Sequence, residues 1–437
     1  MRGVPNPGIP CVPHARSARN SRRNALDVRP SGPLVSGLPD CLRQYPATEV
    51  IHIFTRMERS VRVPKSVEPS RPFQSPATAS TVTRLDSLTG MRWWAAFFVF
   101  AYHMGNLAPL KGQSLMNFGY TGVSFFFVLS GFVLTWSARP QVGARQFWWR
   151  RVARIWPSHM VALTLAIPVF YALGEPDPSQ TWVKPLSTVI LWSVVLLQGF
   201  STTPAVMFSG NPAAWTLSCE MFFYALHPLI NPRRRSTPVI ALVLLTLGVA
   251  GGLVYCLADL SRVSAPLTRA WEFLLGMGAA HLLRSGVRLH VPGPIVYAIL
   301  VLAPTWYAVA KNSRLAVLAT HLNLLPQLTP LILSLLYVTA IIIAASADIL
   351  RRPTGLRSRL LVFGGEASYC FYLVHATVLY AVEARIGAMA WDPVRTPLTW
   401  CAVFIMAALL AIGLHLWVEK PLERRMRAWG DARFGRR

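Results

Sequence analysis

Acidic residues are scarce in this chain: 18 Asp and Glu stand against 43 Lys and Arg in 437 residues, and charged side chains make up only 14%. So little charge beside 53% hydrophobic residues excludes an ordinary soluble domain and points to a polytopic membrane protein. Paired cysteines are lacking as well. Cys11, Cys41, Cys219, Cys256, Cys370 and Cys401 form no CxxC, which argues against a disulfide framework and a zinc site, so no metal is expected. The first ~80 residues hold no apolar core followed by a small-residue cleavage site. No cleavable signal peptide is therefore expected, and the first apolar run must target the chain. There is no solenoid-type repeat. The net charge of +25 does not imply nucleic acid, because the basic residues lie in short blocks between apolar runs and at both ends, without interleaved aromatic motifs.

Residues 1–84 carry 13 Lys and Arg, 5 Asp and Glu and many Pro and Ser. They bury too little apolar surface to offset their ordering entropy and are predicted disordered, with Met57 a plausible later start. Residues 85–425 form the predicted membrane domain and 426–437 a basic cytoplasmic tail. Eleven apolar segments of roughly the ~20 residues that cross a bilayer follow one another: 88–108, 119–138, 156–173, 186–200, 213–231, 238–257, 266–283, 294–310, 330–346, 366–383 and 397–418.

The positive-inside rule tests the count. The arginines of 139–154 and the triplet Arg233, Arg234, Arg235 both belong in the cytoplasm, yet three apolar segments separate them. The shortest, 186–200, holds Trp192, Ser193 and Gln198 and is predicted not to span. The fold class is then all-α, a bundle of ten spans with both termini cytoplasmic. Its cytoplasmic loops and tail hold 21 Lys and Arg, against 7 in the external loops.

Ionisable residues inside these segments are costly, and by default they face a cavity. In "LTGMRWWAAFFVFAYHMG", Arg92 and His103 are eleven apart; at ~100° and ~1.5 Å per residue they share a helical face, roughly 16 Å apart. A snorkelling arginine and a packed neutral histidine are the bland alternative. In "AAWTLSCEMFFYALHPL", Glu220, Tyr224 and His227 share a face at i, i+4 and i+7. Glu220 can pair with Arg92 or His103 or polarise a hydroxyl, or it can simply clamp two helices. "RQFWWRRVARIWPSH" brackets the cytoplasmic end of a span with Arg150, Arg151 and Arg154, either as membrane anchors or as guanidinium forks for the phosphates of an anionic donor. "SYCFYLVHATV" places Tyr372 and His375 three apart. Glu272, His281 and His415 are given helix-packing roles.

Together these stretches resemble the integral-membrane acyltransferases of the acyltransferase-three type. "LTGMRWWAAFFVFAYH" is similar to their arginine–histidine signature, and "GVSFFFVLSGFVLTW", "RRVARIWP", "AAWTLSCEMFFYALHP", "SYCFYLVH" and "VEKPLERR" follow in the family's order, from about Arg84 to Arg425. Thr216 stands where serine is usual, and Cys219 and Met221 replace a valine and a second acidic residue. The resemblance implies a ten-span O-acyltransferase of the cell membrane. It would take an acyl group, by default acetyl, from cytoplasmic acyl-CoA as donor substrate, with no permanently bound cofactor. The acceptor would be a hydroxyl of a carbohydrate, cell-envelope polymer or secondary metabolite. It also implies roles: His103 as general base, Arg92 and Glu220 as its catalytic partners, and Arg151 and Arg154 for CoA phosphates. Tyr224, Tyr372 and His375 are the candidates to contact substrate. The alternative is a multi-pass transporter or flippase for a polar precursor; against it, the two halves of the chain show no internal symmetry.

Overall fold

The computed structural model describes residues 84–175, 180–231, 237–299 and 324–435. The segment 1–83 with Met57, the arginine triplet and most of 294–310 lie outside the described residues. Ten principal helices carry the rest: α1 Asp86–Leu107, α2 Gly122–Trp136, α3 Ala144–Phe170, α4 Trp215–Ile230, α5 Pro238–Leu257, α6 Ala270–Arg284, α7 Leu324–Ile349, α8 Arg359–Ile386, α9 Arg395–Gly413 and α10 Lys420–Phe434. A π-helical turn, Leu414–Glu419, joins the last two. The sheet content among the described residues is a two-residue parallel ladder between Tyr171–Ala172 and Lys184–Pro185.

Helix α1 is central. Its Leu88, Met91 and Ala95 belong to a core shared with α2, α6 and α7, while Ala96, Phe100 and Met104 belong to a second core shared with α3, α4, α8 and α9. Small residues let these helices approach closely. A Cβ at Gly365 of α8 would collide with the Thr89 carbonyl oxygen of α1, and one at Gly276 of α6 with the Val128 carbonyl oxygen of α2.

Among the described residues, five helical stretches are long and apolar enough to cross a membrane: Met116–Trp136, Ala144–Phe170, Pro238–Leu257, Gln327–Ile349 and Arg395–Phe434. On α5 and α9, large apolar side chains such as Leu242, Leu247, Leu398 and Leu409 face outward, each more than half exposed, which suits lipid and not water. The remaining helices have a different exposure. In α6, 11 of 15 residues are buried, so its surroundings do not demand a lipid-like surface. The segment 186–200 makes only a five-residue helix, Ile190–Val194, and one 3-10 turn, Gln198–Phe200, well short of the ~20 residues that span a bilayer.

Two boundaries differ from the sequence reading. The segment expected at 156–173 is the second part of α3, which starts at Ala144, because the arginine-rich turns before it dock on α10. Residues 426–434, read as tail, are that docking helix. Asp431 accepts from Arg150 Nε at 2.7 Å and from Gln146 Nε2 at 2.9 Å, and the Trp149 indole donates to the Met426 carbonyl at 2.6 Å.

Candidate active site

Helices α1, α2, α3, α4 and α8 enclose a cavity of about 140 Å³. Its polar wall comes from each of them: Arg92 from α1, Ser130 from α2, Arg151 and Arg154 from α3, Thr216, Glu220 and Tyr224 from α4, and Ser368, Tyr369 and Tyr372 from α8. Phe126, Phe127 and Leu217 supply apolar surface between them.

Glu220 is held by two hydroxyls. Tyr224, one turn along the same helix, donates to Oε2 at 2.5 Å, and Ser130 donates to Oε1 at 3.1 Å. Arg92 lies within electrostatic reach of Glu220 and Arg154, yet makes no hydrogen bond or ion pair among the described residues. The Arg151 guanidinium lies over the rings of Phe147 and Tyr224, 5.6 and 5.9 Å from their centres, and its buried Nε has no hydrogen-bond partner among the described residues. Arg154 is different. Its Nη1 is 2.5 Å from Glu419 Oε1 and 2.8 Å from Glu423 Oε2, so two carboxylates neutralise it. The expected pair of arginines is thus one guanidinium without an acidic partner and one in a buried ion pair.

The π-helical turn points both His415 and Glu419 inward. His415 Nδ1 is 2.6 Å from Glu419 Oε2, and the Cys370 thiol donates to that oxygen at 3.0 Å. One atom from each of these three side chains falls within 4.8 Å of the others. Glu419 is already shared between Arg154 and His415, so the trio forms the buried end of an ion-pair network. His415 packs as expected, but against a carboxylate.

His103 and His375 stand outside the cavity, beyond Tyr372. The Tyr372 side chain lines the cavity, with its hydroxyl 3.1 Å from Thr216 Oγ1. Its carbonyl accepts a hydrogen bond from His375 Nδ1 at 2.6 Å. The His375 ring is only 1% exposed and its Nε2 has no partner among the described residues. The His103 ring is partly buried, 5.3 Å from that of His375 and 5.0 Å from that of Tyr102. Arg92 and His103 therefore share a helix without sharing the cavity wall. The structure brings Arg92, Arg151, Glu220, Tyr224 and Tyr372 together and pairs His103 with His375 one ring away.

Arg269, Glu272, His281 and His227 are absorbed by packing. Arg269 Nε lies 2.9 Å from Glu272 Oε2 without hydrogen-bond alignment, and the guanidinium donates to Ser124 and Tyr255. His281 Nε2 is 3.1 Å from Asn231 Oδ1. His227, though on the Glu220 face, turns to Thr135 at 3.2 Å and stacks on Phe147. Sequence reasoning missed Ser130, Glu419 and Glu423. Glu419 carried a readable signal, since an acidic residue closing an apolar run needs a partner.

Comparison with known proteins points in one direction. A family model described as an acyltransferase domain matches residues 85–416. The chain is 32% identical over 376 residues to acyltransferase MdmB of Streptomyces mycarofaciens, which covers 78% of this chain and 92% of that protein. It is 28% identical over 314 residues to the exopolysaccharide production protein ExoZ of Rhizobium meliloti (strain 1021), covering 71% and 91%. A shorter match, 26% over 216 residues, relates 44% of the chain to 34% of O-acetyltransferase OatA from Staphylococcus aureus. No solved structure matches.

Proposed function

The chain belongs to the family of integral-membrane acyltransferases of the acyltransferase-three type, and from that premise we propose that it moves an acyl group, acetyl by first choice, from cytoplasmic acyl-CoA to a hydroxyl of a carbohydrate or another envelope or secondary-metabolite acceptor. One observation carries the reading: Arg92 and Arg151, both without an acidic partner in hydrogen-bond contact, line the same small cavity as the hydroxyl-bound carboxylate of Glu220, with two imidazoles one ring beyond. Names among the relatives support the acceptor class, since one is an exopolysaccharide production protein and another a peptidoglycan O-acetyltransferase.

In this reading the chain crosses the membrane ten times with both termini in the cytoplasm. The cavity is smaller than the ~300–1,000 Å³ pockets that enclose drug-sized ligands, so it takes the narrow thiol arm of the donor while the nucleotide stays at the mouth. Arg151 binds donor phosphate there with a planar fork. Arg154, held by Glu419 and Glu423, supports the wall. Arg92, roughly 16 Å along α1 from His103, steadies donor charge inside the cavity, and the Tyr224–Glu220 pair fixes the side of the cavity facing it. The acyl end of the donor reaches past Tyr372, where His103 takes the proton of the acceptor hydroxyl as that oxygen attacks the thioester carbonyl. The carbon–sulfur bond breaks, and the proton ends on the departing thiolate.

Purified protein in detergent or nanodiscs, given acetyl-CoA with and without hydroxyl acceptors, tests the proposal. Release of free CoA thiol together with an acylated acceptor is the expected result. Folded protein that transfers no acyl group to any hydroxyl compound would overturn it.

A further inference from the structure

The two histidines beyond the cavity are not equivalent. His375 is fixed. It is 1% exposed, and its Nδ1 is 2.6 Å from the Tyr372 carbonyl oxygen, an atom that can only accept. Nδ1 must therefore carry the proton, which leaves Nε2 as a bare lone pair in a neutral ring. That Nε2 is buried and has no partner among the described residues. A buried polar atom left unsatisfied is expensive, and in a native structure it calls for a cause.

His103 supplies what His375 Nε2 lacks. Its ring centre is 5.3 Å away with the planes tilted by 41°. At that separation a turn of the His103 ring that aims one nitrogen at Nε2 shortens the gap toward the ~3 Å of an N–H···N hydrogen bond. A neutral His103 has one N–H to give and one lone pair to keep. No hydrogen bond otherwise fixes the ring of His103 among the described residues.

We propose that His375 is a positioning residue that sets the tautomer of His103: the N–H of His103 goes to Nε2 of His375, and the other nitrogen of His103 is left bare toward the acceptor hydroxyl. The inference rests on His103 being the general base, as proposed above. In the transfer, the hydroxyl proton moves to the bare nitrogen of His103, the new imidazolium strengthens its hydrogen bond to His375, and the proton then leaves to the CoA thiolate. His375 itself gains and loses nothing. The logic is that of any base whose second nitrogen is held by an orienting acceptor. Here the acceptor is an uncharged imidazole, in turn locked by the backbone of Tyr372.

Three variants of the full-length protein separate this role from packing, each compared at matched membrane insertion. His375→Phe keeps the size and removes the acceptor, His375→Gln keeps an acceptor oxygen, and His375→Ala removes both. Loss of the orienting acceptor should lower kcat by about 100-fold or more in the Phe and Ala variants, within the range for general-base catalysis, with KM for acyl-CoA unchanged. His375→Gln should recover at least tenfold over His375→Phe. Equal kcat for the Gln and Phe variants, or wild-type kcat in the Phe variant, would overturn the proposal. His103→Ala is run alongside: if it retains full transfer, the general-base reading itself fails, whereas an inactive His103→Ala with a fully active His375→Phe removes only the positioning role.

Discussion

Arg154 Nη1 lies 2.5 Å from Glu419 Oε1, a contact between residues 265 positions apart that ties the arginine-rich end of α3 to the turn where the last helix loosens. It separates two arginines that sequence motifs treat as a pair.

Arg154→Ala should therefore act on stability. Glu419 is fully buried, and removing one partner of a buried ion pair costs about 3–5 kcal/mol. Thermal unfolding in detergent should show a clear drop in Tm for this variant. Arg151→Ala should leave Tm nearly unchanged and raise KM for acyl-CoA by tenfold or more, the difference narrowing as salt screens the wild-type contact. A stable Arg154→Ala protein with a raised donor KM would return Arg154 to the donor site.

His103→Ala should abolish transfer while the protein still inserts and binds CoA, with a loss of about 100- to 10,000-fold in kcat. Equilibrium CoA binding and single-turnover acyl transfer, measured on one preparation, decide it. Near-wild-type turnover would make His103 a packing residue.

Tyr224→Phe takes one of two hydroxyl donors from Glu220. A hydrogen bond to a charged group contributes about 1.5–3 kcal/mol, so kcat should fall by roughly ten- to a hundredfold if the carboxylate must stay where it is. Ser130→Ala should have the same direction and a smaller size, since its bond is longer at 3.1 Å. Steady-state kinetics with both variants would show whether either hydroxyl is dispensable.

Gly365→Ala should disrupt the α1–α8 crossing. The added methyl meets the Thr89 backbone, which cannot swing aside as a side chain would, and overpacking of this kind costs about 1–3 kcal/mol or more. Loss of a monodisperse peak in size-exclusion chromatography is the expected sign, and an unchanged profile and activity would show that the helices separate easily.

Single cysteines at Gly143 and Arg352 should label from the cytoplasm and one at Thr202 from outside, tested with a membrane-impermeant maleimide on intact cells and inverted vesicles. Labelling of Gly143Cys and Thr202Cys from the same face would refute the ten-span topology.

Much of this was legible in the sequence because lipid leaves few reasons for a polar side chain. Arg92, Glu220, Tyr224 and Tyr372 stood out for that reason, Arg151 and Arg154 as an arginine block at a helix end, and all six line one cavity. The segment 186–200 betrayed itself by length. What stayed hidden were relations between distant helices. Periodicity placed Arg92 and His103 on one face, yet it could not show that Tyr372, from a helix some 270 residues later, would stand between the cavity and His103. A 3.6-residue period is equally blind to the π-helical turn that points His415 and Glu419 inward together. The apolar segment 266–283 likewise gave no sign that α6 would be surrounded by protein, with Glu272 and His281 both paired there.

Tyr372 gives one residue two attachments: its ring and hydroxyl border the cavity, and its carbonyl anchors the imidazole of His375. The width of the chamber and the aim of the histidines are consequently not independent adjustments. A backbone shift in α8 that makes room for a longer acyl chain also drags the anchor, so chain-length preference is easier to re-engineer from the opposite wall, at Phe126 of α2, whose ring meets that of Tyr372 at 6.2 Å and does not hold a histidine.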